Sequence, residues 1–196
     1  MNVAGLTSGV IAISAAYHYT CALLGSGGVK CWGLGRGSTP TDVMGLPSGA
    51  VAIAAGGHHT CALFDTGGIM CWGGNTYGAL GDGTWTDSDI PVNVLGLTAG
   101  VSAVAAGMNH TCVLLGTGGL KCWGYNANGQ LGDGTYTDRS RPVEVMGLHS
   151  GVTAVSLGDS HTCALLGTGE VKCWGSDHYA QASGFFTGFP HSVICM

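Results

Sequence analysis

Apolar residues in this chain fall in short runs separated by glycine-rich breaks, and no stretch sustains the three-to-four spacing of an amphipathic helix. Thr111 to Leu115 and Leu120 to Trp123 are two such runs. Between them, Gly116-Thr-Gly-Gly119 supplies residues that can take positive φ, so the pair predicts a β-hairpin. Val101-Ser-Ala-Val-Ala-Ala is a run of small residues that suits a crowded inner strand. Pro142-Val-Glu-Val-Met alternates polar and apolar positions. Its leading proline cannot donate to a ladder and belongs at a strand start or a sheet edge. Together these give about four strands per unit.

The unit repeats. His-Thr-Cys followed by an apolar run begins at His59, His110 and His161, and Tyr19-Thr-Cys opens a fourth copy. Each copy continues into a glycine-rich turn and Cys-Trp-Gly, at 31–33, 71–73, 122–124 and 173–175. Cys61 to Cys112 and Cys112 to Cys163 are both steps of 51 residues, and Pro40, Pro91 and Pro142 keep the same step. Cys21 to Cys61 is only 40, and the missing eleven residues lie between Cys31 and Pro40. Copies two and three fill that place with Asn75 to Thr84 and Asn126 to Thr135, whereas the fourth diverges after Ser176. A period this long excludes a β-helix and predicts an all-β fold of four β-propeller blades, each of about four antiparallel strands. The chain reads as one repeat domain, 1–196, with blades at approximately 1–39, 40–90, 91–141 and 142–196.

Composition narrows the function classes. Glycine at 37 of 196 residues fits many tight turns, and 45% hydrophobic residues supply a core that a disordered linker would lack. Six Lys and Arg against eleven Asp and Glu are too few cations for a phosphate-neutralising surface, so no nucleic-acid partner is expected. Val10 to Ala16 is too short to span a bilayer, so no membrane insertion is expected, and without a positively charged n-region it does not read as a signal peptide.

Eight of the nine cysteines form pairs with nine residues between: Cys21 with Cys31, Cys61 with Cys71, Cys112 with Cys122, and Cys163 with Cys173. Folding each hairpin about its turn sets the partners opposite one another, within disulfide reach. Reduced core thiols are the competing reading. Zinc is a weaker one, because structural zinc sites space their cysteines two to four residues apart. Disulfides would place the protein in an oxidising compartment: extracellular, cell-surface or periplasmic. Cys195 is left over and is a candidate for pairing between chains.

The repeat Gly-x-x-His-Thr-Cys-Ala-Leu … Cys-Trp-Gly-x-Asn-x-x-Gly-Gln-Leu-Gly-Asp-Gly-Thr … Pro-Val resembles the regulator-of-chromosome-condensation repeat, over nearly the whole chain and most fully over 91–142. Its cysteine-bearing form is similar to bacterial secreted members and crinkly-type receptor ectodomains. The resemblance implies a propeller family that usually closes with seven blades, so four repeats are about half a ring. Met1-Asn-Val-Ala-Gly-Leu matches Val92-Asn-Val-Leu-Gly-Leu97, and Pro190-His-Ser-Val-Ile resembles the same strand. Start and finish in phase fit a small four-bladed ring, two chains completing one ring, or a head-to-tail fibre.

Family activities include nucleotide exchange, ultraviolet sensing, β-lactamase inhibition and receptor ectodomains, and fold alone does not select among them. Ultraviolet sensing resembles a Gly-Trp-Arg-His-Thr version of the motif. Here the Trp slot holds Tyr17, Gly57, Met108 and Asp159, and the Arg slot holds His18, His58, Asn109 and Ser160. These eight positions vary inside a constant frame, which is where a scaffold displays a binding surface; drift at solvated turns is the alternative. Trp85 and Tyr136 form a second candidate patch.

Repeated residues read as structural. His59, His110 and His161 are expected to hydrogen-bond turn backbone, and Trp32, Trp72, Trp123 and Trp174 to pack blades. Asp82 and Asp133, flanked by glycine, read as turn formers. No nucleophile–base set, metal site or cofactor motif stands out, so no enzyme is expected. The sequence points first to an extracellular protein-interaction scaffold. Self-assembly through terminal strands is the alternative, and an inhibitor-like or glycan-binding propeller the weaker third.

Overall fold

The computed structural model describes residues 3–182 and 191–192. Among them there is no helix, and sixteen strands form four antiparallel sheets of four. Blade I holds β1 (Val10–Ala15), β2 (Tyr19–Leu24), β3 (Val29–Gly33) and β4 (Gly37–Asp42). Blade II holds β5 (Ala50–Ala55), β6 (His59–Phe64), β7 (Ile69–Gly73) and β8 (Ser88–Asn93). Blade III holds β9 (Val101–Ala106), β10 (His110–Leu115), β11 (Leu120–Gly124) and β12 (Arg139–Glu144). Blade IV holds β13 (Val152–Leu157), β14 (His161–Leu166), β15 (Val171–Gly175) and β16 (His191–Ser192). Every sheet runs in simple meander order.

The small-residue runs are the inner strands. β1, β5, β9 and β13 lie beside one another in sequence order, and alanine recurs in all four. In β1, β5, β9 and β13 alike, the register slips by one residue near the start, a bulge that bends the strand. The hairpin turns contain the glycines the sequence placed there, with Gly118 at φ +82 where a side chain would also meet the backbone of Gly151.

The sheets are offset from the repeat boundaries drawn at the prolines. Pro40, Pro91 and Pro142 lie within the last strand of a blade and do not open the next one. They sit in the register irregularity of β4, β8 and β12, the outer edge strands, where a missing N–H interrupts no ladder.

Each blade's second and third strands have two flanks, and the blades stack flank to flank. The trailing flank of blade II, with Cys61, Leu63, Ile69 and Leu80, packs on the leading flank of blade III, with Val101, Val113 and Trp123. The same set recurs between III and IV, and between I and II without a counterpart of the loop leucine Leu80.

All four expected disulfides are present. Cys21 is bonded to Cys31, Cys61 to Cys71, Cys112 to Cys122, and Cys163 to Cys173, each pair with Cα atoms 4.1 Å apart. The partners are directly opposed between the second and third strands, so the reading as reduced core thiols does not hold. The pairs of blades I to III, Cys71 among them, are buried beneath the following blade. In blade IV, Cys173 is buried but Cys163 is only half-buried, because no fifth blade follows among the described residues. Cys195 lies outside the described residues.

Candidate functional site

The loops that join first to second strands and third to fourth strands gather on one face, because Gly124 at the end of β11 abuts the Asn109 carbonyl and Gly73 at the end of β7 abuts that of His58. The long loop of each middle blade is rigid. Asn75 donates through Nδ2 to the Thr84 and Thr86 carbonyls at 3.2 and 3.1 Å, and its Oδ1 accepts from Leu80 N at 2.9 Å. Asn126 repeats the arrangement with Thr135, Thr137 and Leu131. Asp82 and Asp133 accept from the backbone of Thr84 and Thr135, as turn formers should. Burial works against the Asp133 carboxylate, but the Thr135 hydroxyl and Arg139 outweigh it and hold the pKa below its ordinary value.

Such a loop presents one carbonyl to the next blade. Ala79 O of blade II accepts from Thr111 Oγ1 at 3.0 Å and from Trp123 Nε1 at 2.8 Å. Gln130 O of blade III accepts from Thr162 Oγ1 and Trp174 Nε1, both at 2.9 Å. His59 Nε2 lies 2.7 Å from Thr111 Oγ1, and His110 Nε2 lies 3.0 Å from Thr162 Oγ1. Each hydroxyl already gives its proton to a carbonyl, so the histidine is the donor and Nε2 carries its hydrogen. His59 and His110 thus bridge to the next blade's threonine; they do not tie down their own turn, as the sequence led one to expect. The reason is register: the histidine starts the second strand, its ring lies against the glycine of its own loop, and Nε2 reaches past it to the next blade. Their rings fill the space beside glycines. A Cβ on Gly107 would meet the His110 ring and lie 2.6 Å from Gly158 O. Gly107→Ala is therefore expected to lower stability by about 1–3 kcal/mol, read as a melting-point drop of several degrees in calorimetry.

Blade I breaks the pattern. Tyr19 replaces the histidine and donates to His59 O at 2.6 Å. With the loop between Cys31 and Pro40 shortened, no carbonyl among the described residues reaches Trp72, whose buried Nε1 has no partner among them. The shortening opens a notch of about 270 Å³ between blades I and II, lined by His18, Tyr19, Arg36, His58, Asp87 and Asp89 among others. The Arg36 guanidinium lies over the Tyr19 ring, 4.5 Å from its centroid.

Two further cavities adjoin it. One of about 230 Å³ lies at the ends of the inner strands and gathers Tyr17, Gly57, Met108 and Asp159, the four Trp-slot positions. Another of about 330 Å³ is lined by His58 and Asn109 together with Thr76, Tyr77, Ala79 and Asp87. Gly57 belongs to both the axial cavity and the notch, and His58 to both the notch and the outer cavity. The Tyr17 and His18 rings stack at a tilt, 4.2 Å apart. Ser160 lines none of the three, and its carbonyl accepts from Ser176 N. Trp85 and Tyr136 also lie outside them, on their own loops at 51% and 53% exposure. Arg36, Asp87, Asp89 and Tyr77 were not singled out from the sequence; the eleven-residue gap opposite them was the available signal. Among the described residues no cluster of three or more His, Cys, Asp or Glu is placed to hold a metal.

A profile of the regulator of chromosome condensation repeat matches residues 66–114 and 117–165, and a second profile of that repeat matches 50–79, 101–130 and 152–181. The chain belongs to the regulator of chromosome condensation repeat family. Over 101 residues it is 37% identical to the ultraviolet-B receptor UVR8 of Arabidopsis thaliana, a match covering 50% of this chain and 23% of that protein. Its fold is similar to that of human WBSCR16, with a TM-score of 0.84 at 21% identity, over 96% of this chain and 55% of that one. It is also similar to Prp20p of Saccharomyces cerevisiae, whose binding to Gsp1p and histones has been described, with a TM-score of 0.79 at 22% identity over 94% and 51%. The chain thus spans about a quarter of the curated relative and about half of each solved one. Within the family repeat, blade I is the departure. Neither profile reaches it, and it is the blade that forms one wall of the notch.

Proposed function

We propose that this chain is an extracellular protein-interaction scaffold, not a catalyst, which holds a protein partner on the loop face of blades I to III. The observation that carries the proposal is that three neighbouring cavities share Gly57 and His58 as lining residues, at the blade junction where the repeat lapses. Tyr17, His18, His58 and Met108 then offer aromatic rings and an adaptable thioether beside a mixed set of charges, the composition that interface centres favour. Asn109 and Asp159 extend the surface, and Trp85, Tyr136 and Ser160 are assigned a peripheral part. The four disulfides support an oxidising location outside the cytosol. Prp20p is a precedent for protein partners on this fold.

The test is binding to proteins of the chain's own extracellular milieu, by the chain and by Tyr17→Ala, His58→Ala and Met108→Ala. Each substitution is expected to weaken binding about tenfold or more, as central contacts do, while the melting temperature stays put. Undiminished binding by all three would remove the partner from this face.

A further inference from the structure

We infer that two copies of this chain join head to tail, the trailing flank of blade IV in each docking on the leading flank of blade I in the other, to close one ring. The contact is a fourth use of the junction that already holds the blades together. It uses the edges of the stack and does not depend on the partner surface proposed above.

Blade IV carries the donor side of that junction. Leu165 corresponds to Leu63 and Leu114, which are 5% and 7% exposed beneath the next blade, yet Leu165 is 40% exposed. His161 stands where His59 and His110 bridge forward, and it is only half-buried. The loop that follows keeps the carbonyl-presenting turn. Ala182 N donates to Asp177 Oδ1 at 2.7 Å, as Leu80 does to Asn75, and Tyr179 N donates to Gln181 Oε1 at 2.7 Å, as Asn128 does to Gln130. Ala180 even holds φ +59 where Gly78 and Gly129 take +77 and +75. Gln181 O therefore corresponds to Ala79 O and Gln130 O, and among the described residues no threonine and tryptophan meet it.

Blade I carries the acceptor side. Thr20 and Trp32 correspond to the buried pairs Thr111/Trp123 and Thr162/Trp174, but here both are only half-buried. They line a largely apolar hollow of about 460 Å³ together with Val3, Leu6, Val10 and Ile13, the last 71% exposed. The two flanks are thus the two halves of one interface, and they sit on the same chain. Among the described residues no further blade lies over either flank. A second copy supplies both missing halves at once. Four blades superimpose on 55% of WBSCR16 with a TM-score of 0.84, so the stack makes up about half of such a propeller; two copies supply eight blades, one more than the family's usual seven, and the ring closes with each blade turned slightly less from the last.

Sedimentation equilibrium of the 196-residue chain at micromolar concentration is expected to give twice its 19.7 kDa mass. Trp32→Glu on one flank and Leu165→Glu on the other should each weaken association at least about tenfold. Ile13→Lys, at an exposed position whose replacement leaves the blade core intact, should do the same. Mixing Trp32→Glu with Leu165→Glu chains should restore pairing through the one junction that remains whole, whereas a contact between two blade I flanks would leave Leu165→Glu fully dimeric and would overturn the assignment. Tyr17→Ala should leave the mass at the dimer value. A monomer at every concentration, which would leave the flanks to further repeats or another protein, or an unlimited polymer, would also overturn it.

Discussion

Between pH 6.5 and pH 4 the folded state is expected to lose much of its stability, and His59 and His110 are the principal cause. Burial, aided by the neighbouring His58, lowers the His59 pKa from 6.5 to about 4. Burial, aided by His59 and His161, lowers that of His110 to about 3. The sign follows from proton counting. Above pH 6.5 both histidines are neutral folded and unfolded, and no penalty applies. As pH falls below 6.5 the unfolded chain takes up two protons that the folded chain refuses, so the folded state is penalised until the folded pKa values are reached. Each histidine then costs roughly 3–5 kcal/mol, and a whole domain is stable by only about 5–15 kcal/mol. The structural reason is visible at Nδ1, which in both residues is buried without a hydrogen-bond partner among the described residues, so a proton there finds no acceptor side chain. Asp133, with its pKa held below the ordinary carboxylate range, adds to the loss only at more acidic pH. Denaturant unfolding at a series of pH values should show a slope of up to about 2.7 kcal/mol per pH unit in this window. His110→Gln, which can still donate to Thr162 but does not titrate, should flatten it by about one proton. A flat profile from pH 6.5 to 4.5 would refute the account.

Full reduction is expected to unfold the protein at 37 °C. Each disulfide closes a hairpin of sequence separation 10, and the loop-entropy model gives about 3 kcal/mol for a ring of that size. Four of them are together comparable with the entire stability of a domain. Removing one pair, as in Cys112→Ser with Cys122→Ser, should cost about 2–3 kcal/mol and leave a cooperative melt. The cost includes a packing share, because this cystine is buried under blade IV beside Trp174. Removing Cys163 and Cys173 instead should cost less, since that pair has no blade packed over it among the described residues. Thermal melts with and without reductant separate the cases, and a cooperative transition above 37 °C in the fully reduced protein would overturn the expectation. Mass spectrometry without reduction should find the four crosslinks, each with nine residues between its cysteines.

Much of the fold was legible because the repeat prints the same local choices four times. Alternating runs around a glycine turn specify a hairpin, and constant spacing puts Cys61 opposite Cys71 and Cys112 opposite Cys122 whatever surrounds them. The candidate surface was legible only in part. Tyr17, Gly57, Met108 and Asp159 do meet at one cavity, since equivalent positions in a radial stack converge on its axis. Their neighbours in sequence do not follow them: His18 and His58 turn into the notch, Asn109 into the outer cavity, and Ser160 into none of these. Adjacent residues at a strand entry point to different sides, so a shared slot in the repeat is not a shared site. The repeat boundaries show the same limit. A proline marks where a ladder may be interrupted, and that place proved to be the middle of an edge strand, not the join between blades.

By itself the sequence determined four blades, sixteen strands' worth of hairpins and four cross-strand disulfides, all of which depend on contacts within one repeat unit. Only the tertiary structure decided what passes between units. It sent His59 and His110 to the next blade's threonines and left Trp72 without an acceptor beside the shortened loop. Among the described residues it also left Thr20 and Trp32 at one end of the stack and Leu165 at the other without the neighbour that buries their counterparts. The physical reason is that a hydrogen bond or a packed flank between repeats joins residues some 32 to 52 positions apart, and its existence depends on whether a next blade is there to complete it.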